Sequence, residues 1–408
     1  MSGSGRMPLP CCRQATGPGE IASSGKRKIA VGCEKNTTVW RIDAQGNSPC
    51  LVVWRVGQDR MPDTKRNTQL DGWRALAVAG VMWLHWAPHE WRGPWPFEIG
   101  LFFFLTLTGF LITRILLWER SRGENDGGAW KWIAYGRFAK RRMARILWPC
   151  YAAMLFAMLL GANDIRVHAF AYFAHLSNFH MAMTPKWPGG SAPFWTLAIQ
   201  VQFYLCWPLL VFFAPRRWLA PLFLACVAIA PLSRLICEHA FPQIYHAEAI
   251  TSSAMDYFGI GALLAWAMEK GMPAGDKRLR LVAWLALIGY VALYTLNEMD
   301  RQVAGLHYLQ QTLIAVAFAG LISSTLAGID GGIGRLLEHP AIQHVGRLSF
   351  GLYLFHSGAP LLLGRTLPHL WHPFFHGPWI MVRILAFALT SWGLAWLCWR
   401  YLEGGKRV

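Results

Sequence analysis

Apolar residues along this chain come in long runs rather than alternating stripes. From Gly72 onward ten runs recur, at about 72 to 89, 99 to 118, 146 to 162, 194 to 213, 217 to 236, 252 to 270, 280 to 297, 307 to 327, 348 to 365 and 378 to 400. A helix needs roughly 20 apolar residues to cross a bilayer. The pattern therefore predicts an all-α, polytopic integral membrane protein with about ten transmembrane helices. A weaker run at 167 to 181 reads as a half-helix. Residues 1 to 66 are different in kind: Ser, Gly, Lys and Arg are frequent and no run is long enough to span. They predict a poorly ordered tail ahead of a membrane domain over 67 to 408, and they lack the apolar core of a signal peptide. Met61 immediately precedes the first recognisable feature, so residues 1 to 60 read equally as a mis-assigned start.

Composition strengthens the membrane reading. The 408 residues are 54% hydrophobic and 15% charged, against roughly 45 to 50% apolar for a soluble domain. The formal charge of +17 raises the question of nucleic acid, but the cations sort by connecting segment. One set of segments holds Lys65 and Arg66, then Arg120 to Arg145 with eight cations, then Arg216 and Arg217, Lys270 to Arg280, Arg335 and Arg347, and Arg400 to Arg407; the alternate set holds few, such as Arg92, Lys186 and Arg301. Cytoplasmic loops carry the excess of Lys and Arg. Both termini are thus expected in the cytoplasm, and the charge is explained by orientation without a nucleic-acid partner. The nine cysteines include no CxxC pair, so no zinc or redox motif is expected.

Against this apolar background the polar positions stand out. Within "LDGWRALAVAGVMWLH", residues 70 to 85, Arg74 and His85 are eleven residues apart. On a helix that is about three turns, so they share one face with roughly 16 Å between them along the axis, and both can line one internal cavity. An ionisable group inside a span must face protein or water. A neutral imidazole there can take the proton of a hydroxyl; metal ligation would need partners, and only His89 shares its face. In "YGRFAKRRMARILWP", residues 135 to 149, Arg142 and Arg145 project from one side of a helix start, where guanidinium forks suit phosphate or lipid headgroups. Gln200 and Gln202 interrupt the run at 194 to 213 and need partners between helices or on a ligand. "GRLSFGLYLFH" places His356 late in the ninth run, and Thr106, Thr108 and Gly109 permit close helix approach in the second. His369, His372 and His376 read as a surface loop, and His168, His175 and His180 with Asn178 form a similar cluster that could meet a polar substrate.

Taken together, these stretches resemble the membrane-bound acyltransferase 3 family, whose members O-acetylate polysaccharides, lipid-linked sugars, peptidoglycan or small glycosides. The resemblance runs from Leu70 to about Glu403. It implies that Arg74 and His85 match an Arg and His required for activity, with His85 as general base, and that Arg142 and Arg145 contact acyl-CoA. "FWTLAIQVQFYLCWP" resembles the fourth-helix signature, with Thr196 in place of Ser and Gln200 in place of Glu, which puts Gln200, Gln202 and Tyr204 among candidate substrate-lining residues together with Thr108 and His356. Phe102 stands where an Asp is frequent, and Thr108 where Ser precedes Gly. With only a few residues after the tenth run, the extracytoplasmic hydrolase-like domain of some relatives is not expected. The implied activity is transfer of an acyl group, acetyl above all, from acyl-CoA as co-substrate to a hydroxyl of a glycan or lipid-linked sugar, by a multi-pass protein of the inner (plasma) membrane with membrane lipids around it and no metal or bound cofactor. A transporter or flippase, and a catalytically inactive member, are the rival readings; no inverted repeat is evident to favour the transporter.

Overall fold

The computed structural model describes residues 67–126, 130–299, 305–367 and 379–403. The tail expected at 1 to 66 and the histidine loop at 369 to 376 lie outside the described residues. Among the described residues every regular element is a helix and there is no strand. The α-helices are α1 Thr68–Trp86, α2 His89–Arg92, α3 Ile99–Asp126, α4 Trp130–Leu159, α5 Asn163–Val167, α6 Ala169–Phe173, α7 Ser177–Ala182, α8 Phe194–Phe213, α9 Leu219–Ala240, α10 Met255–Glu269, α11 Lys277–Glu298, α12 Gln310–Ala327, α13 Gly331–Glu338, α14 Pro340–Phe355, α15 Gly358–Thr366 and α16 Ile380–Tyr401. The half-helix expected at 167 to 181 is instead three short helices, α5 to α7.

Among the described residues, six segments are long and apolar enough to cross a membrane: Ile99–Glu124, Phe194–Phe213, Arg216–Ala240, Lys277–Glu298, Leu306–Ala327 and Ile380–Tyr401. With so many, the chain is a multi-pass membrane protein. The other expected runs fall short for particular reasons. Helix α1 carries Asp71, Arg74 and His85, α4 carries a basic first half through Arg145, α10 has only 15 residues, and the run at 348 to 365 breaks at His356 and Ser357 between α14 and α15.

Packing is set by glycines where backbones cross. A Cβ on Gly109 of α3 would come 2.5 Å from the Phe258 carbonyl oxygen of α10, and one on Gly261 of α10 would come 2.3 Å from the Thr106 carbonyl oxygen of α3. Only hydrogen in place of a side chain lets two helices approach so closely. Gly346 does the same for α14 against α1, where a Cβ would lie 2.1 Å from the Asp71 carbonyl oxygen. Around these crossings Phe110, Phe258, Phe212 and Phe223 are fully buried, and the Phe203 and Phe258 rings stack with centroids 3.9 Å apart. Helices α11 and α16 lie at the edge and expose Leu281, Trp284, Leu285 and Ile288, and Leu385, Leu389 and Trp392. An apolar face of that extent suits lipid rather than water.

Buried charge is stapled rather than left bare. Arg120, counted among the orienting cations, is buried, and its Nη1 donates to the Val211 and Ala214 carbonyl oxygens at 2.6 and 2.7 Å, closing the end of α8 onto α3. Arg234 of α9 meets Asp256 of α10 at 2.8 Å, and the Thr312 hydroxyl of α12 donates to the same carboxylate at 2.7 Å. A buried ion pair of this kind is tolerated when further hydrogen bonds surround it: Arg234 Nη1 also donates to the Tyr308 carbonyl oxygen at 3.0 Å, while its Nε has no partner among the described residues.

Candidate active site

Among the described residues, two of the cavities inside the bundle hold polar candidates from the sequence. The first, of about 270 Å³, is lined by Arg74 of α1, Thr108 of α3, Arg142 and Arg145 of α4, Thr196, Gln200 and Tyr204 of α8, Tyr353 of α14 and Glu403 after α16. The second, of about 710 Å³, is lined by His85 of α1, His356, Tyr353, Glu98, Glu248, Trp187 and Tyr294, among others. Leu101 and Tyr353 belong to both linings. Arg74 and His85 share a helix face as their spacing predicts, but the expectation that they line one cavity is corrected. The roughly 16 Å rise between them places each at a different depth, and Leu101 and Tyr353 stand where the two cavities adjoin.

The first cavity is a basic pocket with polar walls. Arg74 Nη1 lies 3.1 Å from Asp71 Oδ1 one turn back, so the aspartate of the first motif orients the arginine beside it. Within the basic stretch of α4, Arg141 is committed elsewhere, its Nη2 donating to Glu119 Oε1 at 2.6 Å, whereas Arg142 and Arg145 line the cavity. Burial raises the pKa of Glu403, opposed by the nearby charges of Arg145 and Arg74. Gln200 donates through Nε2 to the Thr108 hydroxyl at 3.2 Å and to the Tyr204 hydroxyl at 3.1 Å. It therefore bridges α8 and α3 on the cavity wall.

Gln202, two residues on, faces elsewhere. Its Nε2 donates to the His175 carbonyl oxygen at 2.8 Å and to Asn178 Oδ1 at 2.9 Å, and its Oε1 accepts from the Thr251 hydroxyl. Residues two apart on a helix point in different directions, so the expectation that Gln202 lines the substrate path is corrected: it lines neither cavity and ties α8 to α7. His175 and Asn178 are buried in the same contact, away from any surface.

In the second cavity His85 Nδ1 lies 2.8 Å from the Val81 carbonyl oxygen. A carbonyl can only accept, so Nδ1 carries the proton and Nε2 is the basic nitrogen. His356 is fully buried; its Nδ1 donates to the Tyr353 carbonyl oxygen at 2.7 Å, and its ring meets that of His85 edge to face at 4.8 Å. The His356 Nε2 has no hydrogen-bond partner among the described residues. Where the cavities adjoin, the Tyr353 and Thr196 hydroxyls are 2.6 Å apart, and both reach the Pro193 carbonyl oxygen, at 3.3 and 3.0 Å.

The sequence gives no reason to pair His168 and His180 with Asp164, yet one ligand atom from each lies within 4.8 Å of the others. His180 Nε2 is 3.1 Å from Asp164 Oδ1, and the Tyr172 hydroxyl donates to Oδ2 of the same carboxylate. These three side chains have the donor types that could hold a divalent cation.

A family model described as an acyltransferase domain, acyltransferase 3, matches residues 67–399. The chain belongs to the acyltransferase 3 family. Among curated relatives of this family, the peptidoglycan O-acetyltransferase OatA of Listeria monocytogenes is 25% identical over 335 residues, 74% of this chain and 51% of its own. The putative peptidoglycan O-acetyltransferase YrhL of Bacillus subtilis is 25% identical over 82% of this chain and 54% of its own, and the O-acetyltransferase OatA of Staphylococcus aureus is 25% identical over 70% and 49%. The chain spans about half the length of these relatives. No solved structure matches. Within the acyltransferase 3 domain, sequence reasoning overlooked Tyr353, Glu98 and Glu248. Tyr353 had a signal, since it precedes His356 by three residues and so shares its helix face; Glu98 immediately precedes α3 and Glu248 lies in a short 3-10 turn between α9 and α10, and neither leaves such a trace.

Proposed function

We propose that the chain is a membrane-bound O-acyltransferase that moves an acyl group, acetyl above all, from cytoplasmic acyl-CoA to a hydroxyl of a glycan or glycolipid on the far side of the inner (plasma) membrane. The observation that carries this is the pair of adjoining cavities, one holding Arg74, Arg142 and Arg145 and the other His85, with Tyr353 in both linings. In this reading ten helical passes leave both termini in the cytoplasm, with the basic cavity opening to that side. The O-acetyltransferase names of the relatives support the same class of reaction.

Arg142 and Arg145 hold the coenzyme phosphates, for which guanidinium forks are suited, while the thioester arm enters a cavity too small for the whole coenzyme. An acceptor hydroxyl in the second cavity gives its proton to His85 Nε2 as its oxygen attacks the thioester carbonyl. The ester C–O bond forms, the C–S bond breaks, and the leaving thiolate receives a proton from the imidazolium. Charge develops on the carbonyl oxygen between these events and needs a donor; the Tyr353 hydroxyl, where the cavities adjoin, is the group best situated.

Protein in lipid vesicles tests this. Release of free thiol from acetyl-CoA that depends on an added glycan, together with acetyl ester on that glycan, is expected. Glycan flux without thiol release would replace the enzyme by a transporter, and neither activity would make the chain an inactive member.

A further inference from the structure

The second cavity has a charge pattern of its own. Three carboxylates, Glu98, Glu248 and Glu298, share its lining with the amides Asn297, Gln310 and Gln311, and among the described residues no Lys or Arg is part of it. Arg92 and Arg383 approach the end of α1 but donate to the Ala87 and Trp86 carbonyl oxygens and are not lining residues. Burial and the neighbouring charge of Glu298 push the Glu98 carboxyl up from its ordinary pKa, against a bond to its own backbone. A further anion would meet like charge in a partly dry cavity, where repulsion is little screened.

The same lining offers flat rings. Trp187, Trp195, Tyr290 and Tyr294 all take part, and such rings present apolar faces with polar edges. One wall group also awaits a partner. His356 is fully buried and lines the cavity, and its Nε2, with no partner among the described residues, is a lone-pair acceptor because Nδ1 donates to Tyr353. An unsatisfied buried acceptor is costly to leave, and a ligand hydroxyl or N–H would satisfy it.

From these we infer that the second cavity is a saccharide site selective against negative charge, built for a neutral or amino-bearing sugar and closed to uronic acids and other anionic glycans. Its carboxylates and amides accept from and donate to sugar hydroxyls, its rings cover the apolar sugar faces, and His356 Nε2 receives one further donor. The inference rests on the acyl-transfer reading only in calling the bound sugar an acceptor.

Binding tests it without any donor. Three tetrasaccharide probes, N-acetylglucosamine oligomer, its free-amine counterpart and a uronic acid oligomer, are titrated at pH 7.5 into the full chain in nanodiscs while its Trp fluorescence is followed. The two non-anionic probes are expected to bind roughly tenfold or more tighter than the uronate, about 1.4 kcal/mol. In the triple variant Glu98→Gln, Glu248→Gln, Glu298→Gln the ratio of uronate to neutral-probe affinity is expected to approach one, with a thermal unfolding midpoint near that of the wild type reporting an intact fold; Glu298→Gln alone, at an exposed position, is expected to move the ratio in the same direction. Uronate binding equal to or tighter than the neutral probe, or no binding by any probe, overturns the inference. Neutral-sugar binding without thiol release from acetyl-CoA overturns the acyl-transfer reading and leaves the charge selectivity standing; acetylation of the uronate does the reverse.

Discussion

The imidazoles of His85 and His356 meet edge to face at 4.8 Å, and each donates its Nδ1 proton to a backbone carbonyl, that of Val81 or of Tyr353. Two helices, α1 and α14, thereby present their basic Nε2 atoms within one cavity. Only His85 sits on the long face shared with Arg74, and His356 holds the ring from behind.

Replacement of His85 by Ala is expected to lower acyl transfer by about 10² to 10⁴, the usual contribution of a positioned base, with expression unchanged. His356→Phe keeps the ring contact but loses the Nδ1 bond, so a smaller fall in kcat with the donor KM unchanged is expected. Steady-state thiol release measures both. Wild-type turnover by the His85 variant would remove it as the base.

Arg142 and Arg145 line the first cavity while Arg141 is held by Glu119. Changing Arg142 and Arg145 to Gln is therefore expected to raise the KM for acetyl-CoA and to flatten its dependence on salt, since ionic contacts are what salt screens. Arg141→Gln is expected to leave the donor KM near wild type. Salt series of initial rates distinguish the two sites; equal effects from both would return all three cations to an orienting role.

The outer helices were the easily read part of the fold. Helices α11 and α16 are apolar nearly all round and face outward, so composition alone finds them. The elements that build the cavities hid part of themselves for the same reason that they matter: Arg74 and His85 dilute α1, the cations to Arg145 dilute α4, and His356 falls in the break between α14 and α15. Spacing gave the shared face of Arg74 and His85, but it carries no information about which side chains from α3 and α14 stand between them. The contrast of Gln200 with Gln202 was open to the same reasoning, since a step of two on a helix separates directions.

Gln200 occupies the place of an acid in the family signature and bonds Thr108 and Tyr204. Both hydroxyls can turn to donate to a carboxylate, so Gln200→Glu is expected to fold and to retain activity. Gln200→Leu offers neither hydroxyl a partner and is expected to cost about 1 to 3 kcal/mol. Thermal unfolding followed by intrinsic fluorescence compares them, and equal stability of the Leu variant would deny the bridge a structural role.

At the α1–α14 crossing, a side chain on Gly346 would collide with the Asp71 backbone, and Asp71 is the residue that orients Arg74. Gly346→Ala is expected both to destabilise the bundle and to raise the donor KM. Gly136 of α4 has open space around it, so Gly136→Ala is expected to stabilise by about 0.5 to 1 kcal/mol, the ordinary helix preference. Unfolding midpoints and KM values for the pair check whether the crossing transmits to the arginine.

Tyr353 alone among the tyrosines lines both cavities, and its hydroxyl is 2.6 Å from that of Thr196. Tyr353→Phe keeps the ring that separates the cavities and removes only the hydroxyl. If that hydroxyl steadies the charge forming on the thioester carbonyl, its loss should fall on kcat, by roughly 10² to 10³ as for other single donors to such an oxyanion, with both KM values little changed. A purely structural hydroxyl would instead lower the unfolding midpoint and leave kcat alone. Thr196→Val separates the possibilities further, because it removes the neighbour but not the phenol: a partial fall in kcat is expected if Thr196 orients Tyr353, and none if the phenol acts unaided. Full activity in the Tyr353 variant would shift the oxyanion donor to another group.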